Sequence, residues 1–213
     1  MNIFEDIFNK LYGNYGPQYW WPGDNFDEIV IGAVLTQNTN WKNVEKAITN
    51  LKNYNIFDLK DIRDIDRVEL AELVRPSGYF NVKSKRLKAA ARGIIKIKSN
   101  KPSSVTDLRK KLLEIYGIGK ETADSIILYA FEQPIFVIDA YTKRIFSRIG
   151  LISKKMKYDK IRKTFEDNLQ KDRQLFNEYH ALIVVHAKVY CKRKPLCKSC
   201  PLLAFCSYGK SNE

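Results

Sequence analysis

Apolar residues return at i, i+3 and i+4 through eight stretches of this chain: 43–54, 68–75, 84–97, 106–116, 120–131, 141–149, 158–169 and 173–190. Strand-like alternation is nearly absent. A side chain reappears on one helix face every 3.6 residues, so this spacing predicts amphipathic helices packed on one another and an all-α fold. The breaks are short and chemically legible, among them Pro17 with Trp20, Trp21 and Pro22, Pro76-Ser77-Gly78, Gly117-Ile118-Gly119, Gln133-Pro134 and Gly150. No Ser/Gly linker and no internal repeat interrupts them, so a domain boundary has to be a cleft between helices and not a tether. With 213 residues, 45% of them hydrophobic, the chain can bury a sizeable core.

All four cysteines, Cys191, Cys197, Cys200 and Cys206, fall near the end of the chain in the spacing C-x5-C-x2-C-x5-C. Four thiolates so placed can converge on one metal ion or cluster, since the x2 pair turns back on itself and each flanking loop is long enough to return. Disulfides are the alternative, and they need an oxidising compartment. The first ten residues carry Glu5 and Asp6 and lack a basic stretch followed by an apolar one, so they do not read as a signal peptide. The longest apolar runs, at 29–35 and 181–185, fall far short of a membrane span. These features point to a monomeric protein of the cytoplasm, associated with the nucleoid and not with a membrane.

A net charge of +13 favours a polyanionic partner, because neutralising phosphates releases condensed counterions. A solvated, lysine-rich surface would give the same excess. More specific is the run from Leu112 to Ala123, a helix stopped by Gly117-Ile118-Gly119 and restarted at once. It reads as a helix-hairpin-helix: Gly117 and Gly119 permit positive φ and close approach, Ile118 plugs the core, and the new helix start can grip a phosphate. An ordinary tight turn between helices is the alternative. Further on, Asp139 follows Phe136-Val137-Ile138 and opens an amphipathic helix. It can act as an N-cap, as a carboxylate that stabilises a cationic sugar, or as both.

Taken together, the hairpin, Val137-Ile138-Asp139, and Tyr179-His180 through His186-Ala187-Lys188 into four cysteines resemble the endonuclease III superfamily of helix-hairpin-helix DNA glycosylases. The likeness runs from about Trp20 to Cys206. It implies a two-lobed architecture: a helical barrel over 22–130 that carries the hairpin (106–131), and a second lobe joining 1–21 to 131–213 with the cysteine loop at 191–206. It also implies a [4Fe–4S] cluster on the four cysteines. The first spacing departs from the family's C-x6-C, and zinc stays open as the alternative. The implied partner is double-stranded DNA containing a damaged base, bound across the cleft, with Asp139 as the catalytic carboxylate.

Bifunctional members place a nucleophilic lysine where this chain has Glu121, and a carboxylate cannot form an imine. Lys120 lies about 100° round the helix from it. A monofunctional glycosylase is therefore predicted, with Lys120 as a phosphate contact. Trp20-Trp21-Pro22, Leu35 through Trp41, Arg75 through Asn81 and Gly117 through Ala123 most resemble the endonuclease III-type 3-methyladenine DNA glycosylases. That likeness implies a base pocket of Trp20, Trp21, Trp41 and Glu121, whose rings would favour a cationic alkylated purine. Gln37 and Tyr79 match the residues that fill the gap left by a flipped nucleotide. Lys83, Lys85, Arg86, Lys88, Lys188 and Lys192 are expected at the DNA backbone. His180 and His186 do not share a helix face and read as structural histidines.

Overall fold

The computed structural model describes residues 2–20 and 23–211, and among these no strand occurs. Helix α1 (Ile3–Tyr15) is capped by Asn2 and stopped at Gly16, whose φ of 69° suits a residue without Cβ. The chain then separates into two compact units, one made of Met1–Trp20 with Pro134–Glu213 and the other of Trp21–Gln133.

The Trp21–Gln133 unit runs through α2 (Phe26–Leu35), α3 (Trp41–Asn53), α4 (Leu59–Asp64), α5 (Arg67–Leu73), α6 (Phe80–Ser99), α7 (Val105–Leu113) and α8 (Lys120–Ser125), which continues as a π turn over Ile126–Ala130. Polar residues start most of these helices by accepting an orphan N–H: Asn25 from Glu28, Asn40 from Asn43, Asp58 from Asp61 and Ser104 from Asp107. α2 and α4 lie outside the eight periodic stretches. In α2, Ile29, Val30, Ile31, Gly32, Val34 and Leu35 are all buried, so no polar face exists to mark a period. α6 is the centre of the unit and packs against α2, α4, α5 and α7, with Leu87, Ala90, Ala91, Ile94 and Ile97 buried.

In the other unit, α9 (Ala140–Ile149), α10 (Tyr158–Asn168), α11 (Arg173–Val189) and the short α12 (Ser207–Lys210) gather with α1 round an aromatic cluster. Phe136 stacks on Phe165 at 4.3 Å, Phe4 stacks on Phe146 at 5.7 Å, and Phe176 and Tyr179 meet Phe136 edge-on. Aromatic pairs of this kind add about 0.5–1.5 kcal/mol each beyond their area burial. Through this cluster runs Ile135–Ile138, buried but neither helix nor strand. Its backbone therefore needs side-chain partners. Phe136 N–H donates to Glu166 Oε1 (3.1 Å), itself paired with Arg162, and Ile138 N–H donates to the Tyr158 hydroxyl (3.3 Å). The segment ends at Asp139, the N-cap of α9.

In the Trp21–Gln133 unit, α7 is tied to α8 by Arg109, whose Nε donates to Asp124 Oδ1 at 2.6 Å, with the Asp124 side chain fully buried. Removing one partner of a buried pair leaves an uncompensated charge. Asp124→Ala is therefore expected to lower stability by about 3–5 kcal/mol in urea denaturation, whereas an exposed pair such as Lys163–Asp167 should cost under about 1 kcal/mol.

Candidate active site

Asp139 sits where the buried Ile135–Ile138 segment turns into α9. One carboxylate oxygen, Oδ1, accepts both the backbone N–H (2.7 Å) and the hydroxyl (2.8 Å) of Thr142. That bond pair anchors one end of the carboxylate. The other oxygen, Oδ2, faces Nε2 of His180 at 3.7 Å, beyond a direct hydrogen bond but within ion-pair reach. Burial pushes the Asp139 carboxyl up, but the facing imidazole and the two Thr142 donors outweigh it and hold the carboxyl below its ordinary value. It is thus ionised at neutral pH. His180 is buried on α11, and its ring lies under half-buried Trp20 with centroids 5.6 Å apart and planes 22° from parallel. Sequence reasoning treated Asp139, Trp20 and His180 separately and assigned the histidine to packing. The structure brings the three together. Trp21 lies outside the described residues.

The cysteines are free and line one small pocket beside α9, together with Arg148, His186, Tyr190 and Leu202. Hydrogen-bond donors are aimed at the sulfurs: Arg148 Nη1 lies 3.2 Å from Cys191 Sγ, and Gly209 N–H donates to Cys206 Sγ at 3.3 Å. His186 Nε2 is 3.6 Å from Cys200 Sγ, and its Nδ1 meets the Tyr15 hydroxyl at 2.9 Å. Burial pushes the Cys200 thiol up to about 11, with the other three cysteines adding to it, and pushes His186 down to about 4. Donors directed at sulfur suit thiolates holding a metal centre. Among the described residues, no three His, Cys, Asp or Glu converge as ligands of a single ion would. The loop is also held from α9: Arg144 donates to the Cys191 and Ala187 carbonyls, and Arg148 to those of Lys192 and Arg193. Lys188, Lys192, Arg193, Lys194 and Lys198 are exposed round it.

In the Trp21–Gln133 unit the hairpin joins α7 to α8. Gly117 has φ 85°, and a Cβ there would collide with the Arg86 side chain, so both conformation and packing call for glycine. Gly119 departs from the expectation of positive φ. At φ −89° it is the extended N-cap of α8, exposed, with nothing near a would-be Cβ, so its part is an open approach to the helix start and not a left-handed turn. Ile118 is buried beneath, and Lys120 and Glu121 are exposed. Gln37 is bound to the hairpin: Nε2 donates to the Gly117 carbonyl (2.9 Å) and to the Thr122 hydroxyl (3.0 Å), and Oε1 accepts from Arg86. To reach a base it must release these bonds. Tyr79 is 71% exposed and left-handed at φ 47°, a strained state for an aromatic residue at a loop tip. Trp41 is half-buried at the first position of α3.

Lys83 is a correction. Expected at the DNA backbone, it is 1% exposed and donates from Nζ to the carbonyls of Leu35 (2.7 Å) and Ser77 (2.6 Å). Those carbonyls lie just before Gln37 and Tyr79, so the buried ammonium joins the two loops. Burial lowers its pKa to about 8. Lys88 likewise turns inward to the Arg63 and Ile65 carbonyls, while Lys85 stays exposed over the Tyr116 ring. A charge in the sequence does not reveal whether carbonyls or solvent will meet it.

The profile of the HhH-GPD superfamily of base excision DNA repair proteins matches residues 31–171. The chain belongs to the HhH-GPD superfamily. A Methanocaldococcus jannaschii protein named as a DNA repair glycosylase is 50% identical over 206 residues, 94% of either chain. Endonuclease III of Sulfolobus acidocaldarius is 30% identical over 195 residues, 88% of this chain and 84% of that one. Among solved structures, H. pylori 3-methyladenine DNA glycosylase bound to 1,N6-ethenoadenine is 33% identical with a TM-score of 0.74, covering 88% of this chain and 98% of that one. A non-covalent endonuclease III–DNA complex shares the fold at TM-score 0.83 and 21% identity, over 99% and 96% of the chains. This HhH-GPD protein is thus a base-excision DNA repair glycosylase of all-helical fold.

Within this HhH-GPD chain, Lys83→Met should free both loops while leaving a side chain of similar length. Charge-assisted hydrogen bonds contribute about 1.5–3 kcal/mol, so amide hydrogen exchange at 36–38 and 77–80 is expected to speed up roughly tenfold or more, with α3 and α7 unchanged.

Proposed function

We propose that this protein is a monofunctional DNA glycosylase that hydrolyses the N-glycosidic bond of an alkylated, 3-methyladenine-like purine in double-stranded DNA. The observation that carries the reading is the Asp139 carboxylate, ionised, with one oxygen locked by Thr142 and the other turned to a histidine that backs Trp20. A purine alkylated on a ring nitrogen is cationic. Stacking on indole gains cation–π attraction that the neutral parent base lacks, by roughly 0.5–2 kcal/mol. The same charge makes the base a good leaving group, so no strong general acid is called for. As the C1′–N bond breaks, its electron pair goes to the base and neutralises it. Asp139 stabilises the cationic sugar that remains and accepts a proton from the water that attacks C1′. The products are a free base and an abasic site.

Likeness to the H. pylori enzyme, whose structure holds a modified adenine, supports the substrate class. Glu121 supports the monofunctional assignment, because the lysine that would form an imine is absent from that position. The relatives named endonuclease III keep a glycosylase with lyase activity as the second reading. In the proposal Gln37 and Tyr79 occupy the gap left by the flipped nucleotide, Gly117, Gly119 and Lys120 grip the phosphate backbone, and Lys85, Lys188 and Lys192 add electrostatic attraction. Trp21, Trp41 and Glu121 are assigned to the base pocket with Trp20. Cys191, Cys197, Cys200 and Cys206 would hold a [4Fe–4S] cluster. The likeness to relatives named endonuclease III favours that over a single zinc ion, and the cluster would fix the basic loop in place.

Asp139→Asn keeps a good N-cap, so it should fold and bind DNA yet lose base release from an alkylated-purine duplex by at least about a hundredfold. Full activity in that variant would remove Asp139 from the mechanism. Since the folded carboxyl value is depressed, excision should persist from neutral pH down to about 4 and fall only as pH drops through the folded value. Stability contributed by this group is lost in the same direction. Borohydride with damaged duplex should trap no covalent adduct, and a trapped adduct would favour the lyase reading. The purified protein is expected to be brown and to contain iron, with Cys197→Ser lowering both colour and iron content.

A further inference from the structure

We infer that His180 is a positioning residue that joins the two halves of the proposed site, its ring edge orienting Asp139 and its ring face orienting Trp20. The inference rests on the reading of Asp139 as catalytic and Trp20 as a base-stacking ring. Its geometry does not.

Edge and face of an imidazole are perpendicular, so one side chain can serve two neighbours with different chemistry. The edge places Nε2 3.7 Å from Asp139 Oδ2, the oxygen that Thr142 leaves for chemistry. The face lies nearly parallel to Trp20. Rotation of the histidine about the axis of α11 is set by the preceding residue: Tyr179 is wholly buried in the aromatic cluster and donates its hydroxyl to the Phe4 carbonyl at 2.8 Å. One residue on, 100° round the helix, His180 is only 5% exposed and has no room to swing away. Two other titratable groups on the packed elements are engaged elsewhere. Glu178 on α11 accepts the Gln18 N–H at 2.7 Å, and the Tyr158 hydroxyl on α10 receives the Ile138 N–H. His180 is accordingly the titratable side chain acting on Asp139, and loss of its N–H should leave burial to push the carboxyl up. His186, the other histidine, is committed to Tyr15 and Cys200.

A shift of Oδ2 or of the indole plane would follow any movement of this ring. The histidine thereby sets carboxylate and stacking surface relative to each other, which neither α9 nor the Trp20 segment does alone. Reaction geometry tolerates little error, since misplacement by about 1 Å can cost on the order of a hundredfold in rate.

Two substitutions separate the roles. His180→Phe keeps a ring face for Trp20 and lacks the N–H, whereas His180→Gln keeps a donor and lacks the ring. Both are read first on the DNA-free protein. The Asp139 carboxyl is titrated by carbon-13 NMR, and Trp20 is followed by fluorine-19 NMR in 5-fluorotryptophan protein, its resonance assigned by loss in Trp20→Phe. Expected in the Phe variant is a raised Asp139 midpoint with the Trp20 resonance little moved. Expected in the Gln variant is an Asp139 midpoint near wild type with the Trp20 resonance displaced. An Asp139 midpoint unmoved by Phe, or a Trp20 resonance indifferent to Gln, would overturn the inference. Should a variant fail to fold, Trp20→Ala decides: removal of the ring that covers His180 must displace the Asp139 midpoint, and an unmoved midpoint refutes the coupling. With an alkylated-purine duplex, Phe should lower kcat and move the acid limb of its pH profile upward, and Gln should mainly raise KM. Absence of base release by the wild type, with both NMR couplings present, would sink the proposed activity and keep the coupling. Release without the couplings would do the reverse.

Discussion

One hydrogen-bonding constraint organises the candidate site: a buried, irregular strip of chain, Ile135–Ile138, must satisfy its backbone without a helix or sheet. Glu166 and Tyr158 take the N–H groups of Phe136 and Ile138, the aromatic cluster packs round the strip, and the strip can then deliver Asp139 to one fixed point. There the carboxylate has one structural task, and the proposed mechanism gives it a second, chemical one. As N-cap it fills the coordination of one oxygen with Thr142 donors, which anchors that oxygen and, together with the facing His180, keeps the carboxyl ionised. Its second oxygen is left for chemistry. Capping and catalysis are compatible here because a carboxylate has two oxygens and α9 uses one.

The same economy appears at the far end of α9 and in the other unit. Arg144 and Arg148, half-way along and near the end of α9, reach the carbonyls of the cysteine loop, so the helix capped by Asp139 also holds the frame of the proposed cluster. In the Trp21–Gln133 unit, Lys83 captures the carbonyls before Gln37 and Tyr79, and Arg86 meets Gln37 itself. Loops are mobile by default because few contacts hold them. Arg144, Arg148 and Lys83 fix loops by the backbone, and Lys83 leaves the Tyr79 side chain exposed, which is what that residue needs if it is to enter a duplex.

How much of this could be read from the residues depended on the kind of signal. Amphipathic helices with one polar face, such as α3, α9 and α10, announced themselves by period. α2 did not, because a helix buried all round has no polar face to alternate with. The Gln133-Pro134 break stood out for its chemistry and lies where the two units divide. The cysteine spacing pointed to four thiols gathered in one place, and all four do line one pocket. What stayed hidden was non-local. Lys83 is an ordinary lysine in a basic helix until carbonyls 48 and 6 residues back are folded against it. His180 looked structural because its partners, Trp20 and Asp139, are far apart in sequence. Gly119 looked like its neighbour Gly117, yet only Gly117 is left-handed.

The account as a whole claims that a locked carboxylate and an aromatic stacking surface suffice to excise a base that already carries positive charge, with no amine nucleophile. The most direct measurement is a panel of duplexes carrying one modified base each, assayed for free base and then, with and without alkali, for strand breaks. Release of an alkylated purine with breaks appearing only after alkali is the predicted result. Release confined to neutral oxidised or mismatched pyrimidines, or strand cleavage without alkali, would contradict it.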